Sequence, residues 1–378
     1  MKPEYLEIAE RIGARLCRDA LWSGGRCNWT GECTGRGATT YQSLGPDVYG
    51  GTSGIALFLW RLAEATGDRI FRMTAQAAIR QALSRMPQAG CGLYAGGLGI
   101  LLTAAEIQGD CHEPAMLQQA APTPGNLDLL YGSAGAIGVL LRRHLQRGGS
   151  RWMETAVAHG DLLLLEALRS GEGWSWKTTS TARNLTGFSH GTAGIGLALL
   201  ELWRATGEGR FREGAMEAFR YERSCFNPEE RNWPDFRADP PSYPVLWCHG
   251  AGGIGFSRLR AWQISGDREL LAEARTAVEV TAESLHWLKG FCLCHGVAGN
   301  ASQLVYASQV LGEERWMAAA GEAAAQAAER FECSGAPWVC GMGVEGNEVP
   351  GLMLGLAGIG YFYLTMADPE RVPSVLMA

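Results

Sequence analysis

The chain has 378 residues, 47% of them hydrophobic and 19% charged, and a formal net charge of -6. That charge argues against nucleic acid as the partner, and no apolar run is long enough for a transmembrane helix. The opening Met1-Lys-Pro-Glu-Tyr-Leu-Glu7 lacks the apolar core of a secretion signal, and eleven cysteines, an odd number without an even, closely spaced framework, read as reduced thiols in the cytoplasm.

Residues 1–46 are expected to form an amphipathic helix followed by loop, with Trp22-Ser-Gly-Gly-Arg-Cys-Asn-Trp29 in the loop. From Gly51 onward one frame recurs seven times. Its lead glycines are Gly51, Gly96, Gly132, Gly191, Gly250, Gly296 and Gly355, each with a second glycine three residues later. The intervals of 45, 36, 59, 59, 46 and 59 residues lie in the range of structural repeats. An apolar stretch follows each pair, such as Ile55-Ala-Leu-Phe-Leu-Trp60 or Ile195-Gly-Leu-Ala-Leu-Leu200, and reads as a helix start. Polar breaks such as Ala63-Glu-Ala-Thr-Gly-Asp-Arg69 then precede a second amphipathic run, as in Phe71 to Met86 or Leu270 to Leu288.

Helix, tight turn, helix and glycine loop make an αα-hairpin, and without a convincing alternating strand pattern the chain is expected to be all-α. Seven hairpins form either an open solenoid or a closed ring. The ring explains more, because glycine at every inner helix start lets seven crowded helix ends approach one axis. A solenoid also wants polar caps, and the seventh copy is as apolar as the middle ones. The expectation is a seven-fold α/α toroid forming one domain over 1–378.

Three histidines share one position of the frame, in Ser189-His190-Gly191, Trp247-Cys248-His249-Gly250 and Leu293-Cys294-His295-Gly296. If the repeats are equivalent, these groups converge in space. Thiolate and imidazole are ligands that zinc prefers, and a catalytic zinc takes three protein ligands and keeps a fourth position open. Cys248, Cys294 and His295 are therefore the expected ligands of one Zn2+ per chain, the alternative being that Cys-His-Gly is a packing solution at a crowded helix start. Cys292 reads as core. His190 has Ser189 before it, so its repeat offers no thiolate, and it suits general acid or base work better than ligation. His249 stands open as an outer-sphere group, a proton carrier or a packed histidine.

Asp128 lies four residues before Gly132, where other repeats carry Gly92, Gly187 and Gly351. It would orient His190 or handle a proton itself, or else serve as a turn or N-cap aspartate. Asp47, at the same position of the first repeat, reads as a turn residue. His112, His144, His159 and His286 fall outside the frame and read as surface or satisfied core residues. Cys17, Cys27, Cys33, Cys91, Cys111, Cys225, Cys333 and Cys340 read as small buried hydrophobes. Two long segments, Asn227 to Val245 and Arg169 to Thr186, run into Cys248 and His190 respectively. They are expected to be rim loops that shape peptide access, or passive surface excursions.

Gly187-Phe-Ser-His-Gly-Thr-Ala-Gly-Ile195, Trp247-Cys-His-Gly-Ala-Gly-Gly-Ile254, Leu293-Cys-His-Gly296 and Gly351-Leu-Met-Leu-Gly-Leu-Ala-Gly-Ile-Gly-Tyr361 resemble the lanthionine synthetase C-like cyclases. The closing Ala367-Asp-Pro-Glu-Arg-Val-Pro-Ser-Val-Leu376 is most similar to the cyclase domain of class II lanthipeptide synthetases. The resemblance implies a seven-fold toroid with one zinc on Cys248, Cys294 and His295, and His190 and Asp128 as acid/base groups with exchangeable roles. It further implies addition of cysteine thiols of a dehydrated precursor peptide to dehydroalanine or dehydrobutyrine. A separate dehydratase, or a longer parent protein, would supply those residues. Two positions depart from the family: Pro244 stands where some stand-alone cyclases carry a basic helper, and Val297 where class II domains commonly have Asp. Three other readings stay open. They are a zinc-holding peptide scaffold without activity, addition of an external thiol such as glutathione, and an α/α-toroid carbohydrate enzyme, which would need two opposed carboxylates near the axis.

Overall fold

The computed structural model describes residues 1–35, 38–86, 90–109, 112–341 and 348–377. Cys111 and the side chain of Cys33 lie outside the described part. Seven inner helices each begin one residue after a lead glycine: α2 (Thr52–Thr66), α4 (Gly97–Gln108), α6 (Ser133–Arg147), α8 (Thr192–Thr206), α10 (Ala251–Ser265), α12 (Val297–Leu311) and α14 (Leu356–Ala367). Each packs on the next around the circle, and α14 packs back on α2, which closes the ring. The outer layer is α3 (Arg69–Leu83), α5 (Glu113–Gln119), α7 (Ser150–Leu165), α9 (Gly209–Cys225), α11 (Arg268–Ser284) and α13 (Glu314–Ala327). A π-helical turn, Ala328–Cys333, extends α13.

The two layers differ in sequence for a physical reason. Inner helices such as α8, α12 and α14 are buried on nearly every side and carry apolar or small residues all round, whereas outer helices such as α9 and α11 bury one stripe and keep charges outside. The tight turn between layers follows one recipe. Gly67 and Gly266 end α2 and α10 in the left-handed region, at φ 77° and 70°, which favours glycine. Asp68 and Asp267 then cap α3 and α11 by accepting from Ile70 and Glu269 backbone N–H groups.

The ring is closed differently from the expected seven consecutive hairpins. Among the described residues no outer helix follows α14; its partner is the first helix, α1 (Pro3–Arg18). Lys2 N–H donates to the Ala367 carbonyl at 2.8 Å, and the Tyr5 and Tyr363 rings stand 5.9 Å apart. The expected loop after α1 is also more ordered than foreseen. It forms two antiparallel hairpins, β1 (Leu21–Ser23) with β2 (Arg26–Asn28) and β3 (Thr30–Gly35) with β4 (Ala38–Ser43). Cys27 and Trp29 are buried, and Trp29 Nε1 donates to the Leu16 carbonyl at 2.8 Å, tying the hairpins to α1. A third hairpin, β5 (Leu168–Ser170) with β6 (Gly173–Ser175), opens the segment leading to His190. Among the described residues no helix is long and apolar enough to cross a membrane.

The second glycine of each frame is dictated by the loop before it. A Cβ on Gly299 would lie 1.8 Å from the Leu293 carbonyl oxygen, and one on Gly253 would lie 1.9 Å from that of Trp247. The same clash recurs in all seven copies with the residue six positions earlier. Each loop thus folds its carbonyl onto the first turn of its own inner helix, and the residue that supplies it, from Val48 to Leu352, floors the loop ring with apolar side chains.

Adjacent loops are joined head to tail around the axis. Tyr49 N–H donates to Tyr94 (2.9 Å), Ala95 to Leu130 (3.1 Å), Leu129 to Ser189 (3.1 Å), Ser189 to Cys248 (3.2 Å), Cys294 to Met353 (2.9 Å) and Met353 to Tyr49 (2.8 Å), always onto the carbonyl two residues before a lead glycine. Among the described residues only the fifth-to-sixth junction has no such backbone bond. There the Cys248 thiol stands 3.8 Å from the Cys294 carbonyl. Beneath the floor, residues 373–377 run back into the axis, with Tyr94 Oη donating to Val375 and Trp247 Nε1 to Leu376 carbonyls. They border a cavity of about 770 Å³.

Candidate metal and acid–base site

The repeat register brings Cys248, Cys294 and His295 together: one ligand atom from each lies within 4.8 Å of the others. Both cysteines are buried, and His295 Nε2 faces the Cys294 sulfur at 3.6 Å. The local chain is held firmly. Gly250 has φ 77°, so only glycine is comfortable at this helix start, and it has no side chain to cap α10. Asn232 does so instead, accepting from the Ala251 N–H at 2.9 Å while its amide donates to the Tyr243 and Pro244 carbonyls. From α12, Asn300 donates to the Val245 carbonyl and Gln303 to the Ala251 and Gly252 carbonyls.

The donor set suits a cation. A hydrogen bond from the neighbouring Cys294 thiol, with a second from His295, holds the Cys248 thiol well below its ordinary range, whereas burial and the same pairing push Cys294 up. The opposite shifts follow from like charges opposing one another in a buried pair, so two thiolates here would call for a positive centre between them. Two thiolates and an imidazole, with no fourth protein ligand among the described residues, would match a zinc centre that keeps one position open. His295 Nδ1 is buried without a partner. Cys292, read as core, is buried as expected; its sulfur accepts from the His295 N–H at 3.4 Å, and burial raises its pKa to about 12.

His190 and Asp128 form the second half of the site. His190 Nδ1 donates to Asp128 Oδ2 at 2.6 Å, and the other carboxylate oxygen accepts the Tyr131 N–H at 2.7 Å. Asp128 is therefore both the turn residue and the orienting carboxylate that were set against each other. Because a carboxylate only accepts, the contact makes Nδ1 the donor and leaves Nε2 of His190 free. Tyr131 stacks on the His190 ring, with centroids 5.9 Å apart and planes 13° apart. His190 opens on a cleft of about 480 Å³ shared with Asp47, Tyr49 and Tyr131. Asp47 accepts the Gly50 N–H at 2.8 Å, the turn role expected of it.

His249 is buried, its ring centroid 6.1 Å from that of His190 and both nitrogens without partners. Burial lowers its pKa. Gly187, at φ 97°, passes so close that a Cβ there would come within 3.3 Å of His249 Nδ1. His159 is a satisfied core histidine, bonded to Ser133 and the Ala120 carbonyl.

Two features escaped the sequence reading. Tyr49 Oη lies 3.0 Å from the Cys294 sulfur. Its signal was present, since Tyr49 holds the same frame position as Cys248 and Cys294, but a tyrosine among leucine, serine and methionine equivalents does not announce a contact. The second is the use made of the two long segments. Besides the Asn232 cap, the 227–245 segment carries Arg237 paired with Asp235 at 2.6 Å, and Cys248 and Cys294 add to the Asp235 effect that raises the arginine pKa. In the other segment the Thr178 hydroxyl donates to the His190 carbonyl at 2.5 Å. Neither is a passive excursion.

Together these features define a closed seven-fold α/α toroid that carries a Cys-Cys-His cluster and a His-Asp pair on one ring of loops. The sequence model of the Lanthionine synthetase C-like protein family matches residues 42–377, and the chain belongs to that family. The glutathione S-transferase LANCL1 of Danio rerio is 24% identical over 352 residues, 85% of this chain and 82% of its own length. The lacticin 481/lactococcin biosynthesis protein LcnDR2 of Lactococcus lactis subsp. lactis is 24% identical over 215 residues, covering 51% of this chain and 22% of its own length, so the match spans about a fifth of that relative. Among solved structures, nisin cyclase superposes with a TM-score of 0.68 at 15% identity, over 85% of this chain and 89% of its own. A family 76 glycoside hydrolase of Bacteroides thetaiotaomicron superposes with a TM-score of 0.54 at 12% identity, over 97% and 99%. The last two likenesses concern the fold.

Proposed function

We propose that the chain is a zinc-dependent cyclase that adds cysteine thiols of a dehydrated precursor peptide to dehydroalanine or dehydrobutyrine, forming thioether rings. The observation that carries this reading is the presence of a Cys248-Cys294-His295 cluster and a His190-Asp128 dyad on one ring of loops, with His190 opening on a cleft bordered by Tyr49, whose hydroxyl lies 3.0 Å from the Cys294 sulfur. Cys248, Cys294 and His295 would hold a zinc ion, which when bound would supply the Lewis acidity that lets a substrate thiol lose its proton to solvent near neutral pH. The sulfur forms its bond at the β-carbon, the double bond's electrons move to the α-carbon as an enolate, and a proton completes the addition there. His190, held through Nδ1 by Asp128, presents Nε2 to deliver that proton; Asp128 keeps the ring oriented and stabilises its charged form. No group leaves. The dehydro residues must come from a dehydratase acting beforehand.

A second reading is favoured by the match to the zebrafish glutathione S-transferase over most of both chains: the same addition with a thiol from outside the peptide. One experiment separates the readings. The chain is mixed with a dehydrated, cysteine-containing peptide, with and without glutathione, and free thiols are counted by alkylation and mass spectrometry. Cyclisation consumes the thiol at unchanged mass, an external thiol adds its own mass, and a binding scaffold leaves the peptide thiol reactive.

A further inference from the structure

We propose that Tyr49 is a positioning residue of the metal cluster: its hydroxyl donates a hydrogen bond to the Cys294 sulfur, fixing that ligand and drawing charge from it. The inference rests on the metal reading of Cys248, Cys294 and His295 given above. The contact is 3.0 Å long and joins the first repeat to the sixth.

The backbone places the phenol where it is. Tyr49 N–H donates to Tyr94, and its carbonyl accepts from Met353 N–H, whose own carbonyl accepts from Cys294 N–H. Two hydrogen-bonded steps thus set Tyr49 relative to Cys294, and a side chain long enough to cross the intervening seventh repeat is needed to reach the sulfur. Tyr94, the tyrosine at the same position of the second repeat, turns its hydroxyl down to the Val375 carbonyl at 2.8 Å. Of the two tyrosines, one serves the sulfur and one the floor. Tyr49 also borders the cleft onto which His190 opens.

A hydroxyl bonded to a ligand thiolate reduces the electron density that sulfur gives the metal, which leaves the metal a stronger Lewis acid toward an arriving thiol. The hydrogen bond also lowers the nucleophilicity of the Cys294 sulfur itself.

The test uses the full chain loaded with cobalt(II), whose sulfur-to-metal charge-transfer band reports the electron density on the thiolates. Tyr49→Phe protein with native helicity by circular dichroism should shift that band to longer wavelength, and zinc affinity in chelator competition should fall about tenfold. Tyr94→Phe should move neither. 3-Fluorotyrosine at position 49, a stronger donor of the same shape, should shift the band to shorter wavelength. A band and affinity unchanged in Tyr49→Phe, or changed equally in Tyr94→Phe, overturn the inference while leaving the metal reading intact. A wild-type protein that shows no cobalt-thiolate band overturns the metal reading, and this inference with it.

Discussion

Each residue of the site does its work because a neighbour restrains it. Asp128 is buried, spends one oxygen on its own turn and the other on His190, so the imidazole presents one nitrogen in one orientation. Pairing lowers the pKa of the Cys248 thiol, while burial and that same pairing raise that of Cys294. These roles separate under mutation. Purified chain should carry about one zinc per molecule, and Cys294→Ala should lose it; full retention of zinc would remove the ligand assignment. His190→Ala should keep the metal and lose ring closure by at least a hundredfold, read as peptide thiols consumed per minute, and unchanged cyclisation would move the proton to another donor. The convergence of Cys248, Cys294 and His295 was legible because a repeat turns sequence register into spatial register. Tyr49 was not, since a hydroxyl reaching across a whole repeat is set by ring curvature and not by spacing.

At the scale of the element, the Gly-x-x-Gly frame is a steric device. The second glycine makes room for a carbonyl of the preceding loop, and the extended or left-handed lead glycine turns the chain into the inner helix. Gly299→Ala should therefore destabilise the protein by roughly 3 kcal/mol, because backbone stands 1.8 Å from the new methyl. Gly321, inside α13, is the contrast. The nearest atom to a Cβ there is the Tyr5 hydroxyl at 3.7 Å, so Gly321→Ala should raise stability by up to about 1 kcal/mol. Urea midpoints at constant slope measure both, and equal changes at the two sites would mean that the loop carbonyl does not decide the cost at Gly299. The inner helices and two-residue turns were readable from periodicity and from Gly-Asp pairs. The hairpins after α1 were not, because strands this short, rich in Gly and Thr, owe their pairing to the helix they cover.

At the scale of the molecule, the described residues form a circle of loops with six backbone links, and the seventh junction carries the two cysteines. Metal bound there would act as the missing link, above the Asn300 and Gln303 contacts that hold the helices below. Removing it with a chelator should lower the melting temperature and speed amide exchange first in residues 246–250 and 292–296. A site saturated at a hundred times its dissociation constant contributes about 2.7 kcal/mol. Exchange that rises evenly around all seven loops, or not at all, would show that the junction does not depend on metal. Ring closure is likewise a whole-chain matter, because the last inner helix packs on the first helix of the chain.

The sequence by itself determined the repeat, its seven copies, the helical class and which side chains share a frame position, since these follow from spacing and from which residues tolerate a crowded helix start. Tertiary structure alone decided that α1 completes the seventh pair, that Asn232 caps the helix after Cys248, that Tyr49 meets Cys294, and that among the described residues the cysteine-bearing junction is the one without a backbone bond. Those facts depend on how far the ring curves and where its ends meet, and curvature is the sum of many packing contacts that no single motif encodes.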